Sequence, residues 1–279
     1  MACGSTLGNL VRFVRGISNP FRFDIDSIGQ TVFFIRKENS PTEVIDGIYG
    51  YGHTFPEAYT TWDRDVAGSC SHQRIIQYKF GNLRYLVRSE SDGYLPDEHS
   101  QSDKSQISPV HGTGQSTVAP ADDLALPDAA RLTISSRKGQ NAVGGSVELH
   151  LQGRRVSQAQ VFDLKTRSIF NAIQMDEILP RLWVSQVSKF ILAYHNRGTF
   201  EKIDVEDVKE DVQAWERDNA RALERVDAVV RWIIEESRGS THMEVSWLGT
   251  GPLILREQLG TPRLALPADL RSRWTTQIS

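Results

Sequence analysis

The sequence predicts a mixed α and β fold, in which a β-sheet core is flanked by helices. Three observations carry this. Short runs rich in Phe, Val and Ile come in pairs across glycine turns, a long Glu-, Arg- and Ala-rich run with an apolar stripe occupies residues 205–238, and no segment repeats at a fixed period. At 279 residues, 39% of them hydrophobic, the chain is long enough to bury one substantial core.

Along the chain, residues 7–17 set Leu10, Val11, Phe13 and Val14 on one side, with Arg12 and Arg15 between them, as an amphipathic helix does. Residues 21–25 and 30–36 then read as a hairpin turning at Gly29. After the glycines of 47–52, residues 55–62 suit a helix with Pro56 in its first turn. Residues 75–80 and 83–89 flank Gly81-Asn82, a second hairpin signal. From 95 to 128 the composition shifts to Ser, Asp, Gln, Pro and Gly, too poor in large apolar residues to offset the entropy of ordering, and it is expected to be a flexible insertion. Candidate strands resume at 130–135, 146–151 and 158–166, so the insertion is expected to interrupt a single domain spanning 1–279 rather than to join two. A helix is expected at 176–184, a strand at 189–195, one long helix at 205–238, strands at 243–248 and 252–256, and a short helix at 268–274.

The 32 basic and 35 acidic residues leave a net charge of −3, so no overall positive field draws nucleic acid, and any such site is a local patch. Cys3 and Cys70 match no metal-ligand spacing and suggest a reducing compartment. No apolar run is long enough to span a bilayer and residues 1–16 lack a signal-peptide pattern. An intracellular protein, nuclear or cytoplasmic and without a membrane partner, is expected.

Two short strings carry chemistry: Glu90-Ser91-Asp92 at the end of one candidate strand and Asp163-Leu164-Lys165 within another. Residues two apart on a strand share a face, so each pair projects together, and neighbouring strands would converge three carboxylates and one ammonium. Hard cations such as Mg²⁺ or Mn²⁺ prefer oxygen ligands, and a lysine beside them can orient water or phosphate. Taken alone, each string is common on solvated strand faces.

Order and surroundings sharpen the reading. Gly52-His53-Thr54-Phe55-Pro56-Glu57, then Arg88-Ser89-Glu90-Ser91-Asp92, then Phe162-Asp163-Leu164-Lys165-Thr166, then Trp183-Val184-Ser185-Gln186 follow one another as four motifs. This series resembles the signature of the DXO-like RNA decapping nucleases, in a divergent, mainly fungal branch. The resemblance covers about residues 32–198 and extends in that branch through 200–208 and Trp215. It implies a mixed β-sheet core related to the restriction-endonuclease-like, PD-(D/E)xK-related nucleases, and a divalent-metal-dependent hydrolase of RNA 5′ ends. Decapping, pyrophosphohydrolase or NAD-cap removal and 5′-to-3′ exoribonuclease activity all fall within that implication. Carried over by position, Glu57, Glu90, Asp92 and Asp163 would be metal ligands, Lys165 the lysine that orients water or phosphate, and Gln186 a contact to phosphate or metal-bound water.

The departures are specific. Asp163 stands where the family has Glu, which keeps the carboxylate but shortens it by a methylene. Pro56 directly follows Phe55, displacing Glu57 by one residue, a turn of about 100° on a helix. Ser91 replaces an apolar residue. They leave open a second reading, a catalytically weakened pseudoenzyme that binds RNA or a protein partner.

Other candidates are set aside. Trp183 is read as a core aromatic. His72 and His195 lack ligand-type neighbours at helical spacing, and the Ser69-Cys70-Ser71 stretch lacks a Gly-x-Ser-x-Gly elbow. Asp122-Asp123 with Asp128 superficially matches a prenyl-diphosphate synthase motif, but that chemistry needs two such clusters across a helical bundle. The alternating charges of 205–238 mark a solvated helix face rather than a basic RNA-binding helix.

Overall fold

In the computed structural model the described residues are 1–37, 51–52, 54–69, 71–96, 152–239 and 242–276. Cys70, the expected insertion from residue 97 on, and the strands expected at 130–135 and 146–151 lie outside them. Two compact units are present: Met1–Trp62, Ser69–Leu95 and Val156–Ser279 form one, Asp63–Gly68 and Pro96–Arg155 the other. Among the described residues of the second, a 3₁₀ turn, Arg64–Val66, is held by the Gly153 N–H donating to Asp65 Oδ2 at 2.6 Å and by an Arg154–Asp63 ion pair at 3.2 Å.

The first unit is built on two sheets. β1 (Ala2–Cys3) and α1 (Gly4–Val14) lead into the hairpin β2 (Phe21–Ile28) and β3 (Thr31–Arg36), followed by α2 (Thr54–Tyr59). A second hairpin, β4 (Gln73–Phe80) and β5 (Leu83–Glu90), is followed by the short β6 (Gly93–Tyr94). A 3₁₀ turn at Gln158–Gln160 precedes β7 (Val161–Ser168), α3 (Met175–Ser185), β8 (Lys189–Asn196) and β9 (Thr199–Asp207). The chain closes with α4 (Lys209–Asp218), α5 (Ala220–Glu236), β10 (His242–Trp247), β11 (Ile254–Glu257) and α6 (Ala268–Thr276). The larger sheet runs β11-β10-β2-β3-β1-β5-β4 and the smaller β6-β7-β8-β9. Strands β1 with its two neighbours and β7 with β8 pair in parallel, and α3 is the crossover that the parallel β7–β8 pair requires. This is the mixed, helix-flanked sheet architecture that the sequence predicts.

Alternation along the strands places the core. Phe21, Phe23 and Ile25 of β2, Phe34 of β3, Val87 of β5 and Val245 of β10 point to one face, where they meet Leu7, Leu10 and Val11 of α1, Leu182 and Trp183 of α3, Trp215 of α4 and Val226, Val230 and Ile233 of α5. Val161, Phe190 and Leu192 of the smaller sheet join the same cluster. Side chains such as Leu10, Phe190 and Ile233 are fully buried, each worth about 1.5–3 kcal/mol over an exposed position. The opposite face of the smaller sheet has its own cluster, in which Phe55 of α2 meets Phe162, Ile191 and Ala193.

The outer face of the larger sheet is also covered, by charge. Asp24 and Asp26 of β2 and Glu244 of β10 are buried there and meet four cations: Lys37 on Asp24 and Glu244, Arg256 on Glu244, Arg263 on Asp24 and Arg271 on Asp26. Three of those cations belong to residues 256–271, so the C-terminal segment is held on by ion pairs as well as by Trp274, which packs on Phe33.

Several element ends shift by a few residues, α1 to Gly4–Val14 and α2 to Thr54–Tyr59 among them, and three larger differences from the sequence expectation stand out. Residues 205–207 finish β9 rather than begin a helix, because Phe200, Ile203 and Val205 belong to an edge strand that follows a tight turn at Arg197 and Gly198, both with positive φ. The helical run then breaks at Asn219, whose side-chain amide donates to the Trp215 carbonyl at 2.9 Å, giving α4 and α5 in place of one helix. The two-residue strands β1 and β6 were below the length at which a sequence pattern shows. Among the described residues no helix is long and apolar enough to cross a membrane.

Candidate active site

The chain passes from the larger sheet to the smaller at Ser91 and Asp92. Ser91 anchors this crossing: its N–H donates to the His72 carbonyl at 2.9 Å and its hydroxyl to the Gly93 carbonyl at 3.3 Å. Gly93 then pairs with Phe162 of β7, so close that a Cβ at residue 93 would lie 2.5 Å from the Phe162 ring. Only glycine fits there without displacing a buried aromatic. One step before this pair the ladder ends, and the Asp92 side chain completes it: the Leu164 N–H donates to Asp92 Oδ2 at 2.7 Å. A carboxylate thereby sits against β7 beside Asp163.

On β7, Phe162 and Leu164 face the Phe55 cluster, while Asp163 and Lys165, in register with Phe190 and Leu192 of β8, face the side of the sheet that α3 covers. From α3, Arg181 donates from Nη2 to Asp163 Oδ1, an ion pair whose guanidinium is 51% exposed and whose carboxylate is 14% exposed. Pro180 precedes it inside the helix and removes the N–H that would bond the Asp176 carbonyl; Arg15 of α1 donates to that oxygen at 3.5 Å instead.

The electrostatics follow from this gathering. Burial pushes the Asp163 carboxyl from 3.8 up to about 6; Arg181 opposes the rise, the Asp92 charge adds to it, and Lys165 opposes it again. Asp92 keeps an open flank to solvent, yet protein replacing water on its other side also raises it. The Leu164 N–H and Arg181 hold it down, and Glu90 pushes it up. Asp92, Asp163 and Lys165 are thus brought together with Arg181, and Glu90, at the end of β5, is close enough to act on Asp92.

Gln186 and Glu57 stand differently. Gln186 ends α3 in the left-handed region, φ 52° and ψ 42°, and its amide folds back to donate to the Trp183 carbonyl rather than reaching Asp163. Glu57 is exposed on α2, whose Phe55 packs on the face of the smaller sheet opposite to Asp163. Trp183 is buried against Phe80 and Trp215, as a core aromatic. Sequence reasoning missed Arg181; its one signal was a cation set within the apolar run Ile178 to Val184.

A divalent cation has a partial but chemically suitable donor set here. Among the described residues no group of three or more His, Cys, Asp or Glu is gathered to hold a metal ion. Asp92 and Asp163 each commit one oxygen, to the Leu164 N–H and to Arg181, and each has a second. Mg²⁺-type ions bind through one or two carboxylates and complete their shell with water and substrate phosphate, and the mutual repulsion of these two carboxylates favours a cation between them. The pair fits that kind of site and not an all-protein cage.

Comparison with known proteins places this fold. The family described as a domain of unknown function (DUF8563) matches residues 3–245. No curated protein matches the sequence. Among solved structures, the chain is similar to Rai1 of Scheffersomyces stipitis in complex with (3′-NADP)⁺ and calcium, at 13% identity and a TM-score of 0.54, covering 98% of this chain and 68% of that one. It is similar to S. pombe Rai1 in complex with 3′-FADP, at 13% identity and a TM-score of 0.56 over 92% and 71%. It is also similar to K. lactis Dxo1 in complex with manganese, at 8% identity and a TM-score of 0.51 over 94% and 66%. The chain therefore has the Rai1 and Dxo1 fold, and the resemblance drawn from its motifs holds at that level.

Proposed function

This chain belongs to the DUF8563 family, and we propose that it is a divalent-metal-dependent hydrolase of RNA 5′ ends. The observation that carries the proposal is the convergence of Asp92, Asp163 and Lys165, drawn from two separate strings of the sequence, on one side of β7. The order of the four motifs supports it, as do the similar proteins, whose complexes contain 3′-NADP⁺ with calcium and 3′-FADP, and, in Dxo1, manganese.

In this reading Asp92 and Asp163 hold Mg²⁺ or Mn²⁺ through their second oxygens, with Glu90 beside them. Once bound, the ion supplies neutralisation of phosphate charge and makes water more acidic. Lys165, on the same face two residues from Asp163, attracts the phosphate and orients the attacking water. Leu164 fixes Asp92 through its N–H, so the carboxylate needs no reorganisation to bind. Gln186 would have to give up its bond to the Trp183 carbonyl to touch phosphate, and Glu57 stays outside the ligand set.

A second reading, a non-catalytic module that binds RNA, draws on the Arg181–Asp163 pair, which neutralises a proposed ligand. Both are tested by incubating the protein with 5′-triphosphorylated, capped and NAD-capped RNA in Mn²⁺. Release of a 5′ product that EDTA stops and Asp92→Asn abolishes supports the hydrolase; RNA binding with no release under any condition supports the module.

A further inference from the structure

We infer that Arg181 is a tethered cation that competes with the divalent ion for Asp163 and thereby sets the metal affinity of the site. The inference rests on the proposed metal role of Asp92 and Asp163. Its first ground is geometric. Arg181 Nη2 donates to Asp163 Oδ1, on the side of β7 that also carries Lys165 and beside the carboxylate of Asp92. An ion held by those two carboxylates would share Asp163 with the guanidinium.

The second ground is that Arg181 is held to its place by that carboxylate and little else. Its helix is fixed by the buried neighbours Leu182 and Trp183, but the side chain is half exposed, and among the described residues its guanidinium donates to Asp163 alone. An arginine built to brace α3 would be expected to bind backbone carbonyls or a second side chain, as Arg271 does with Asp26 and the Ser27 carbonyl. Release of Arg181 into solvent therefore breaks one ion pair and leaves the fold in place.

The third ground is charge. Glu90 acts on Asp92, Lys165 on Asp163 and Arg181 on both carboxylates, a set of interacting charges that sums to −1 when all are ionised. Without Arg181 it carries −2, which a divalent ion balances. A divalent charge and a monovalent one about 5 Å apart repel enough, even at the dielectric constant of water, to weaken binding by roughly tenfold or more. Removing the arginine charge is expected to return that factor. Arg181→Lys keeps the charge and is expected to keep the affinity near wild type, which separates electrostatic competition from a change of packing.

The test is a Mn²⁺ titration read by the electron paramagnetic resonance signal of the free ion, for wild type, Arg181→Gln, Arg181→Lys and the double variant Arg181→Gln/Asp163→Asn. The expected result is binding about tenfold or more tighter in Arg181→Gln, near wild type in Arg181→Lys, and lost in the double variant. Wild-type binding with Arg181→Gln equal or weaker overturns the inference and leaves the metal reading of Asp92 and Asp163 standing. Tight binding that survives in the double variant overturns it too, since the ion is then not at Asp163. No binding in any of the proteins overturns both the inference and the metal reading.

Discussion

Replacing Asp163 by Asn is expected to stabilise the metal-free protein at neutral pH and to leave it unchanged in acid. In the folded chain the carboxyl rises from 3.8 to about 6; burial is the largest cause, Arg181 the largest opposing one, and the Asp92 charge adds to the rise. A carboxyl whose folded value lies above its unfolded value binds its proton more tightly in the native state. Its contribution to stability is thus fully present below the unfolded value near 3.8 and is lost as pH rises through about 6. The interval between those values, at about 1.4 kcal/mol per pH unit, amounts to about 3 kcal/mol. With the side chain only 14% exposed, solvent screening removes little of it. Asn resembles the protonated carboxyl and does not titrate. Urea unfolding of wild type and Asp163→Asn in EDTA, from pH 3.5 to 7.5, reads the difference directly, and titrating groups that do not interact with Asp163 cancel. The stability of the variant relative to wild type is expected to climb by about 3 kcal/mol across that range. A difference that is flat, or that falls between pH 4 and 7, would refute the account of why this carboxylate is perturbed.

Two further outcomes follow from other parts of the molecule. Arg271→Met is expected to cost about 3–5 kcal/mol in urea unfolding, because it leaves the fully buried Asp26 carboxylate without its cation and with the Ala265 N–H as its remaining donor; Asp26→Asn in the same chain should recover part of the loss. Gln186→Gly is expected to raise stability by about 0.5–1 kcal/mol, since an L-residue in the left-handed region is strained and glycine is not, offset by loss of the bond to the Trp183 carbonyl. If Gln186 contacts substrate, the same variant should lower RNA hydrolysis as its melting temperature rises.

The hairpins at Gly29 and Gly81, the β7 strand, α3 and the final α6 were legible in the sequence because each has a clear period bounded by a turn residue or cap. Helix and strand become ambiguous where one element's charges run into the next. Residues 205–207 carry the same acidic character as α4, and only the pairing of β9 with β8 through Asp207 and Lys189 decides their state. Asp92 and Asp163 were legible as candidates because two-residue spacing on strands is a local property. Their meeting across the two sheets depends on Gly93 approaching Phe162, which no local pattern encodes. Arg181 was illegible for the same reason: its partner is 18 residues away, and the distance between them is set by the β7–α3 crossover. The helix that carries Glu57 is seated by Phe55 on the face of the smaller sheet opposite to Asp163, a placement that no local pattern encodes.

The most direct test of the central claim is the Mn²⁺-dependent release of 5′ products from triphosphorylated RNA by wild type, Asp163→Ala and Lys165→Ala, with thermal unfolding recorded on the same samples. The account predicts that Mn²⁺ raises the melting temperature of wild type and of Lys165→Ala but not of Asp163→Ala, since an ion that binds only the native state stabilises it. It predicts hydrolysis in wild type alone. Hydrolysis that persists in Asp163→Ala, or a wild type that neither gains stability from Mn²⁺ nor cleaves RNA, would contradict it.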